Sequence, residues 1–214
     1  MSKRQSRDPE KEQAILAAAT HEFAKKGYFK ANTQTIADAA EVSKGSVFRY
    51  FESKKKLYIQ AVRFAIQRLQ EIADFTVWTD APDLRTLIIR ATQYKIALSH
   101  EYPDEFALLL AVYRQGATAP EALQTEVQQM FTQFSDQNIK KLIQPVIKRL
   151  NLRSDIAPEE IQSYVELFMA QIMTWVQHYM VAHPEVQTME DMTELVTKIE
   201  HFMDLMEHGI VKSE

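Results

Sequence analysis

Four glycines in a chain of 214 residues, set against seven prolines and abundant Ala, Leu, Glu, Lys, Gln and Met, leave little material for β-turns and a good supply for helices. That scarcity predicts an all-α protein. The prolines fall where helices begin: Pro9, Pro103, Pro120 and Pro158 each precede an apolar-periodic stretch, and a proline in a first turn loses no helical hydrogen bond. The spacing predicts helices over about 9–26, 33–40, 44–51 and 54–74, then over about 84–100, 103–115, 119–150, 158–183 and 188–210. Gly27 ends the first, Asn32 or Thr33 caps the second and Ser53 caps the fourth. Pro145 is expected to kink or break the long helix around it. The stretch Thr79-Asp80-Ala81-Pro82 reads as a linker.

Several classes of function are excluded early. The longest apolar run, Phe106 to Tyr113, has 8 residues, far short of the ~20 that span a bilayer. No apolar residue follows Met1 in the first 13, so no signal-peptide core is visible, and a cytoplasmic protein that does not engage a membrane is expected. With no cysteine, disulfides, thiol nucleophiles and thiolate metal sites are out. His178 and His183 do not share a helix face, and His201 and His208 have no ligand set beside them, so neither metal nor cofactor is expected. No glycine-rich loop or nucleophile elbow is present, and the chain is not read as an enzyme.

The net charge of -4 hides a polarity. Residues 1–63 hold 13 Lys and Arg against 7 Asp and Glu, whereas the remainder holds 12 against 22. A basic head on an acidic body fits an end that meets a polyanion, and on charge alone an unevenly solvated surface fits equally well. Within that head, three short helices occupy about 45 residues, the second and third joined by the turn Glu41-Val42-Ser43, which is the pattern of a helix-turn-helix whose last helix enters the major groove. With Val47 and Phe51 turned inward, Lys44, Gly45, Ser46, Phe48, Arg49 and Tyr50 are expected outside. There Lys and Arg can neutralise phosphates or read guanine, and Ser and Tyr can bond phosphate oxygens. Lys54 lies at a helix N-terminus, where an anion gains from the dipole as well as from the ammonium.

The stretch Ala14 to Leu57 resembles the DNA-binding domain of TetR-type transcriptional regulators. The residues that carry the resemblance are Phe23, Gly27-Tyr28, Thr33, Ile36-Ala37, Val42-Ser43-Lys44-Gly45-Ser46-Val47-Phe48, Tyr50-Phe51, Ser53-Lys54 and Leu57. The resemblance implies a helix-turn-helix head over 1–53 and a helical ligand-binding and dimerisation body over 54–214. It further implies a homodimer, most often a repressor, that binds a palindromic operator in double-stranded DNA and is released by a small-molecule effector. Carried over by residue, it implies phosphate contacts from Thr33, Tyr50 and Lys54 and groove or base contacts from Gln34, Lys44, Gly45, Ser46 and Arg49. The chain departs from the pattern at Phe48, where a tyrosine hydroxyl is usual, and near Glu41, where a glycine is usual.

In the body, the last two helices are apolar over more than one face, which suggests packing against something outside the chain. A four-helix interface between two subunits, using Phe168, Ile172, Val176, Tyr179, Leu195, Ile199, Phe202 and Met206, is the economical arrangement, with burial in a monomeric core the alternative. The resemblance favours the dimer, since a palindrome needs two heads about 34 Å apart. Phe64, Tyr94, Phe106, Tyr113, Met130, Phe131, Phe134, Met173 and Trp175 are candidates to line a mostly apolar effector pocket, although each alone also fits ordinary core. A helical ligand-binding or protein-interaction module without DNA binding is the competing reading.

Overall fold

The computed structural model describes residues 8–113 and 119–208, and only the backbone at 131 and 134–140. Among the described residues there are helices and no strand. They are α1 (Pro9–Lys30), α2 (Thr33–Ala39), α3 (Lys44–Phe51), α4 (Lys54–Ile72), α5 (Thr76–Thr79), α6 (Leu84–Glu101), α7 (Pro103–Tyr113), α8 (Glu121–Ile147), α9 (Pro158–Ala182) and α10 (Thr193–His208). The all-α expectation holds. Contacts divide the chain into two compact units, one drawn from 1–72 and 102–130, the other from 73–101 and 131–214. This division does not follow the expected boundary at 53, because α4 and α7 share the core of the head.

In the first unit, α1 buries Ile15, Ala19 and Phe23 one turn apart, against α2, α4 and α7. From α4 come Leu57, Ala61, Val62, Ala65 and Ile66, and from α7 Leu108, Leu109 and Val112. Tyr58 stands edge-on to Phe23 at 4.9 Å, and burial pushes its phenol up to about 12, so it stays neutral. Two polar contacts bind α7 to its neighbours, a hydrogen bond between His21 Nδ1 and Asp104 Oδ2 at 2.9 Å and an ion pair between Arg68 Nε and Glu105 Oε1 at 3.3 Å.

The second unit packs α6 against α5 and α10, and α9 against α10. On α9, Val165, Met169, Ile172, Val176 and Met180 form a single inward stripe, and α10 adds Leu195 and Met203. The Leu84 N–H donates to Glu207 Oε1 at 2.6 Å, tying the start of α6 to the end of α10.

Several boundaries differ from those the sequence predicts. The expected linker is preceded by the helical turn α5. The last helix starts at Thr193, after a single 3-10 turn at Glu190–Met192, rather than at 188. There Asp191 Oδ2 accepts from the amides of Gln187 and Thr188 at 2.8 Å each, which holds the chain in a side-chain-bonded loop instead of a helix. Pro145 sits in the last turn of α8, which ends two residues later at Ile147, short of the expected 150. The first helix continues past Gly27 to Lys30, but Gly27 itself has φ 67° and ψ 172° and breaks the helical path. That conformation is essentially confined to glycine. Gly27→Ala is therefore expected to lower stability by about 1–3 kcal/mol, read as a fall in the thermal midpoint; an unchanged midpoint would show that the bend carries no such strain.

Candidate DNA-binding face and ligand groove

The helix-turn-helix is assembled from caps that the sequence made visible. Asn32 Oδ1 accepts from the Gln34 amide at 2.8 Å to start α2, Ser43 Oγ accepts from the Ser46 amide at 3.1 Å to start α3, and Ser53 Oγ accepts from the Lys56 amide at 3.2 Å to start α4. The end of α2 is closed by paired bonds, from the Val42 N–H to the Ala37 carbonyl at 2.9 Å and from the Glu41 N–H to the Asp38 carbonyl at 3.1 Å. Glu41, with φ 53°, occupies the left-handed position that this closure requires and that glycine fills without strain.

On α3, Val47, Tyr50 and Phe51 are buried, while Lys44, Gly45, Phe48 and Arg49 are exposed and Ser46 is half-buried. Ser46 Oγ lies 2.9 Å from Ser43 Oγ. From α2, Gln34 is exposed and donates through Nε2 to Asp38 Oδ1 at 2.8 Å. These exposed residues form the face available to an external partner.

Three of the expected contact residues are placed elsewhere. Tyr50 is only 5% exposed, because positions 47, 50 and 51 are i, i+3 and i+4 on one helix face, and its hydroxyl accepts from the Asp8 amide at 3.0 Å. Thr33 is buried at the start of α2. Lys54 turns inward: its ammonium donates to the Ala31 carbonyl at 2.6 Å and the Phe29 carbonyl at 3.2 Å, and lies 5.1 Å from the centre of the Tyr28 ring. Burial lowers its pKa, and the Glu22 carboxylate works against that shift. Its neighbours in the triplet are paired as well, Lys55 with Glu126 at 3.1 Å and Lys56 with Glu52.

Glu22 was not singled out from the sequence. It is buried on α1, where its Oε1 accepts from the Asn32 amide at 2.9 Å and meets Lys26 Nζ at 3.0 Å. Its signal was present in the spacing: 15, 19, 22 and 23 share one face, so a carboxylate on that stripe is buried and needs partners.

The expected pocket-lining residues are distributed over both units. In the first, Phe64 lines an open groove of about 450 Å³ with Leu16, Arg68 and Glu71, while Phe106, Tyr113 and Met130 are half-buried. Burial pushes the Tyr113 phenol up to about 12. In the second, the Tyr94 hydroxyl accepts from the Asp74 amide at 2.8 Å, its ring packs on Trp78 at 4.9 Å, and Trp175 packs on Phe202 at 5.2 Å, with Met173 half-buried. The side chains of Phe131 and Phe134 lie outside the described residues. None of the described candidates lines the larger groove of the second unit, about 990 Å³, whose lining includes the apolar Leu84, Ile89, Leu152, Ile161 and Val165 and the charged Asp83, Arg85, Arg153, Glu160, Asp204 and Glu207. No sequence pattern signals this groove, since its lining comes from three separated stretches, 83–89, 150–165 and 204–208.

Of the expected interface residues, Ile172, Val176 and Leu195 are buried within their own unit, and Phe168, Tyr179, Ile199, Phe202 and Met206 are half-buried. The apolar side chains left in solvent on these helices are Tyr164, Leu167, Val181 and Leu205, with Leu167 73% exposed. No helix among the described residues is long and apolar enough to cross a membrane, and no three His, Cys, Asp or Glu side chains among them come together to hold a metal.

Residues 15–61 match the family model of bacterial regulatory proteins, tetR family. No curated protein matches the chain. Solved structures with the same fold include a protein of a Rhodococcus species assigned to the TetR-family transcriptional regulators (18% identity, TM-score 0.61, covering 92% of this chain and 100% of that one). They also include the fatty acid degradation regulator FadR of Bacillus halodurans (16%, 0.57, 94% and 100%). A third is NalD, the secondary repressor of the MexAB-OprM multidrug efflux pump in Pseudomonas aeruginosa (17%, 0.53, 96% and 99%).

The inward placement of Lys54 has a measurable consequence. Lys54→Met keeps the aliphatic stem but leaves the Ala31 and Phe29 carbonyls without their cation, and stability should fall by about 1–3 kcal/mol in urea unfolding. An unaltered midpoint would mean that these bonds do not hold the end of α1.

Proposed function

We propose that the chain is a DNA-binding transcriptional regulator of the tetR type, acting as a homodimeric repressor whose paired heads hold a palindromic operator until a mostly apolar effector binds. Such proteins are DNA-binding regulators and not enzymes. The observation that carries the reading is the outer face of α3. Its inner face is fixed by the burial of Val47, Tyr50 and Phe51, which leaves Lys44, Gly45, Phe48 and Arg49 presented together at the end of the basic head. A helix held this way can enter the major groove without rearranging its supports. Gln34 and Ser46 flank that face, and Thr33, Tyr50 and Lys54 act through position, fixing α2, α3 and the end of α1.

The repressor role is supported by NalD, a protein of this fold described as a repressor. For the effector, the groove of about 990 Å³ supplies an apolar surface from Leu84, Ile89, Leu152 and Ile161, while polar and charged side chains such as Arg85, Arg153, Glu160 and Glu207 make up the other half of its lining and could orient a small molecule. For the dimer, Leu167 on α9 and Leu205 on α10 expose apolar surface that a second copy would cover.

Anisotropy titration with a duplex selected from random sequence tests the DNA face. Lys44→Ala should weaken binding and lessen the steepness of its salt dependence by about one unit of slope per ammonium lost. Arg49→Ala should cost about 1–3 kcal/mol and relax preference at one base pair. Wild-type affinity in both variants would remove α3 from the interface. Sedimentation should give twice the 24.8 kDa chain mass for the wild type, and Leu167→Glu should shift it towards the monomer. A dimer that ignores this substitution would place the interface elsewhere.

A further inference from the structure

We propose that Phe48 reads thymine, its ring resting on the C5-methyl group of one thymine in each half-site and so helping to choose the operator. The inference rests on the reading that the outer face of α3 enters the major groove. Phe48 keeps 37% of its surface exposed in the middle of α3, outside the inward positions filled by Val47, Tyr50 and Phe51, so part of its ring faces outward beside Lys44 and Arg49. A large apolar side chain left in water is unfavourable, and contact with another apolar surface recovers that cost.

The ring chemistry selects its partner. A phenyl group has neither donor nor acceptor, so it cannot take a phosphate oxygen as a tyrosine would. In the major groove every base edge offers polar groups, and thymine alone adds a methyl. Gly45 and Arg49 complete the surface as neighbours at i-3 and i+1. A Cβ built on Gly45 would meet only Ser43 Oγ, at an ordinary 3.8 Å, so nothing in the head requires glycine at this position. Its absent side chain lets the α3 backbone come close to the base edges, which a ring on the short stem of Phe48 needs if it is to touch a methyl at the groove floor.

The test uses the purified full-length chain and the tightest duplex selected from a randomised library, with each thymine replaced in turn by deoxyuridine, which removes the methyl and keeps every hydrogen-bonding group. At one thymine per half-site the wild type should lose affinity about fourfold per methyl removed. Phe48→Ala should bind the thymine and deoxyuridine duplexes alike, and Phe48→Tyr, which keeps the ring, should retain the discrimination. Thermal melting of both variants near the wild-type midpoint separates a lost contact from a lost fold. If no deoxyuridine substitution affects the wild type, or if Phe48→Ala keeps the full wild-type loss, the thymine contact is overturned. When that result comes with weakened binding by Arg49→Ala, the groove placement of α3 still stands. If no duplex is selected over random DNA, the groove placement falls and the inference with it.

Discussion

The geometry of the head depends on a buried carboxylate. Glu22 lies on the apolar face of α1, and a carboxylate there is tolerated only because it accepts the Asn32 amide and meets Lys26. Asn32 in turn caps α2, so one side chain of α1 fixes where α2 begins. From the opposite side Lys54, the first residue of α4, binds the carbonyls just before that cap. The junction between α1 and α2 is therefore held from both neighbouring helices, and α3, packed on α2 and α4, inherits its orientation from it. Gly27 makes the junction possible, since only a backbone in its conformation turns the chain from the helix of α1 towards Asn32.

Much of this was legible because short-range chemistry dictates it. Asn32, Ser43 and Ser53 announce their helices through side-chain oxygens placed before unpaired amides, and Gly27 announces the end of the regular helix. What the sequence left hidden is long range. Tyr50 and Lys54 look like exposed donors when only residue type and helix position are considered, yet their partners, the Asp8 amide and the Ala31 carbonyl, lie 42 and 23 residues away. The period of 3.6 residues does place Tyr50 beside Val47 and Phe51, and the expectation of an outward Tyr50 went wrong by weighing its hydroxyl above its angle.

The helices of the second unit show the same limit in another form. An apolar stripe states that a face is buried but not against what. On α9, Val165, Met169, Ile172, Val176 and Met180 turn into their own unit, whereas Tyr164 and Leu167, beside them in sequence, do not. Ile172, Val176 and Leu195 are therefore spent on internal packing, and any second copy would have to use the flank of the stripe. Trp78 is a further case: its indole Nε1 is buried and has no partner among the described residues, which no sequence pattern signals and which is uncommon among native buried donors.

Helix α3 is bounded at both ends by residues that the backbone disfavours. Glu41 before α3 has φ 53°, and Glu52 after it has φ 63° with the Ser53 amide bonded back to the Phe51 carbonyl in a tight three-residue turn. Each left-handed non-glycine residue costs roughly 1–2 kcal/mol, and the surrounding structure must offset that cost. It does so with the paired bonds that close α2, the Ser43 cap, the Glu52–Lys56 ion pair and the buried side of α3. A short helix of eight residues would not be stable alone. Holding it between two over-determined turns fixes its angle, which for the proposed docking of α3 in the major groove matters more than the stability lost at its ends.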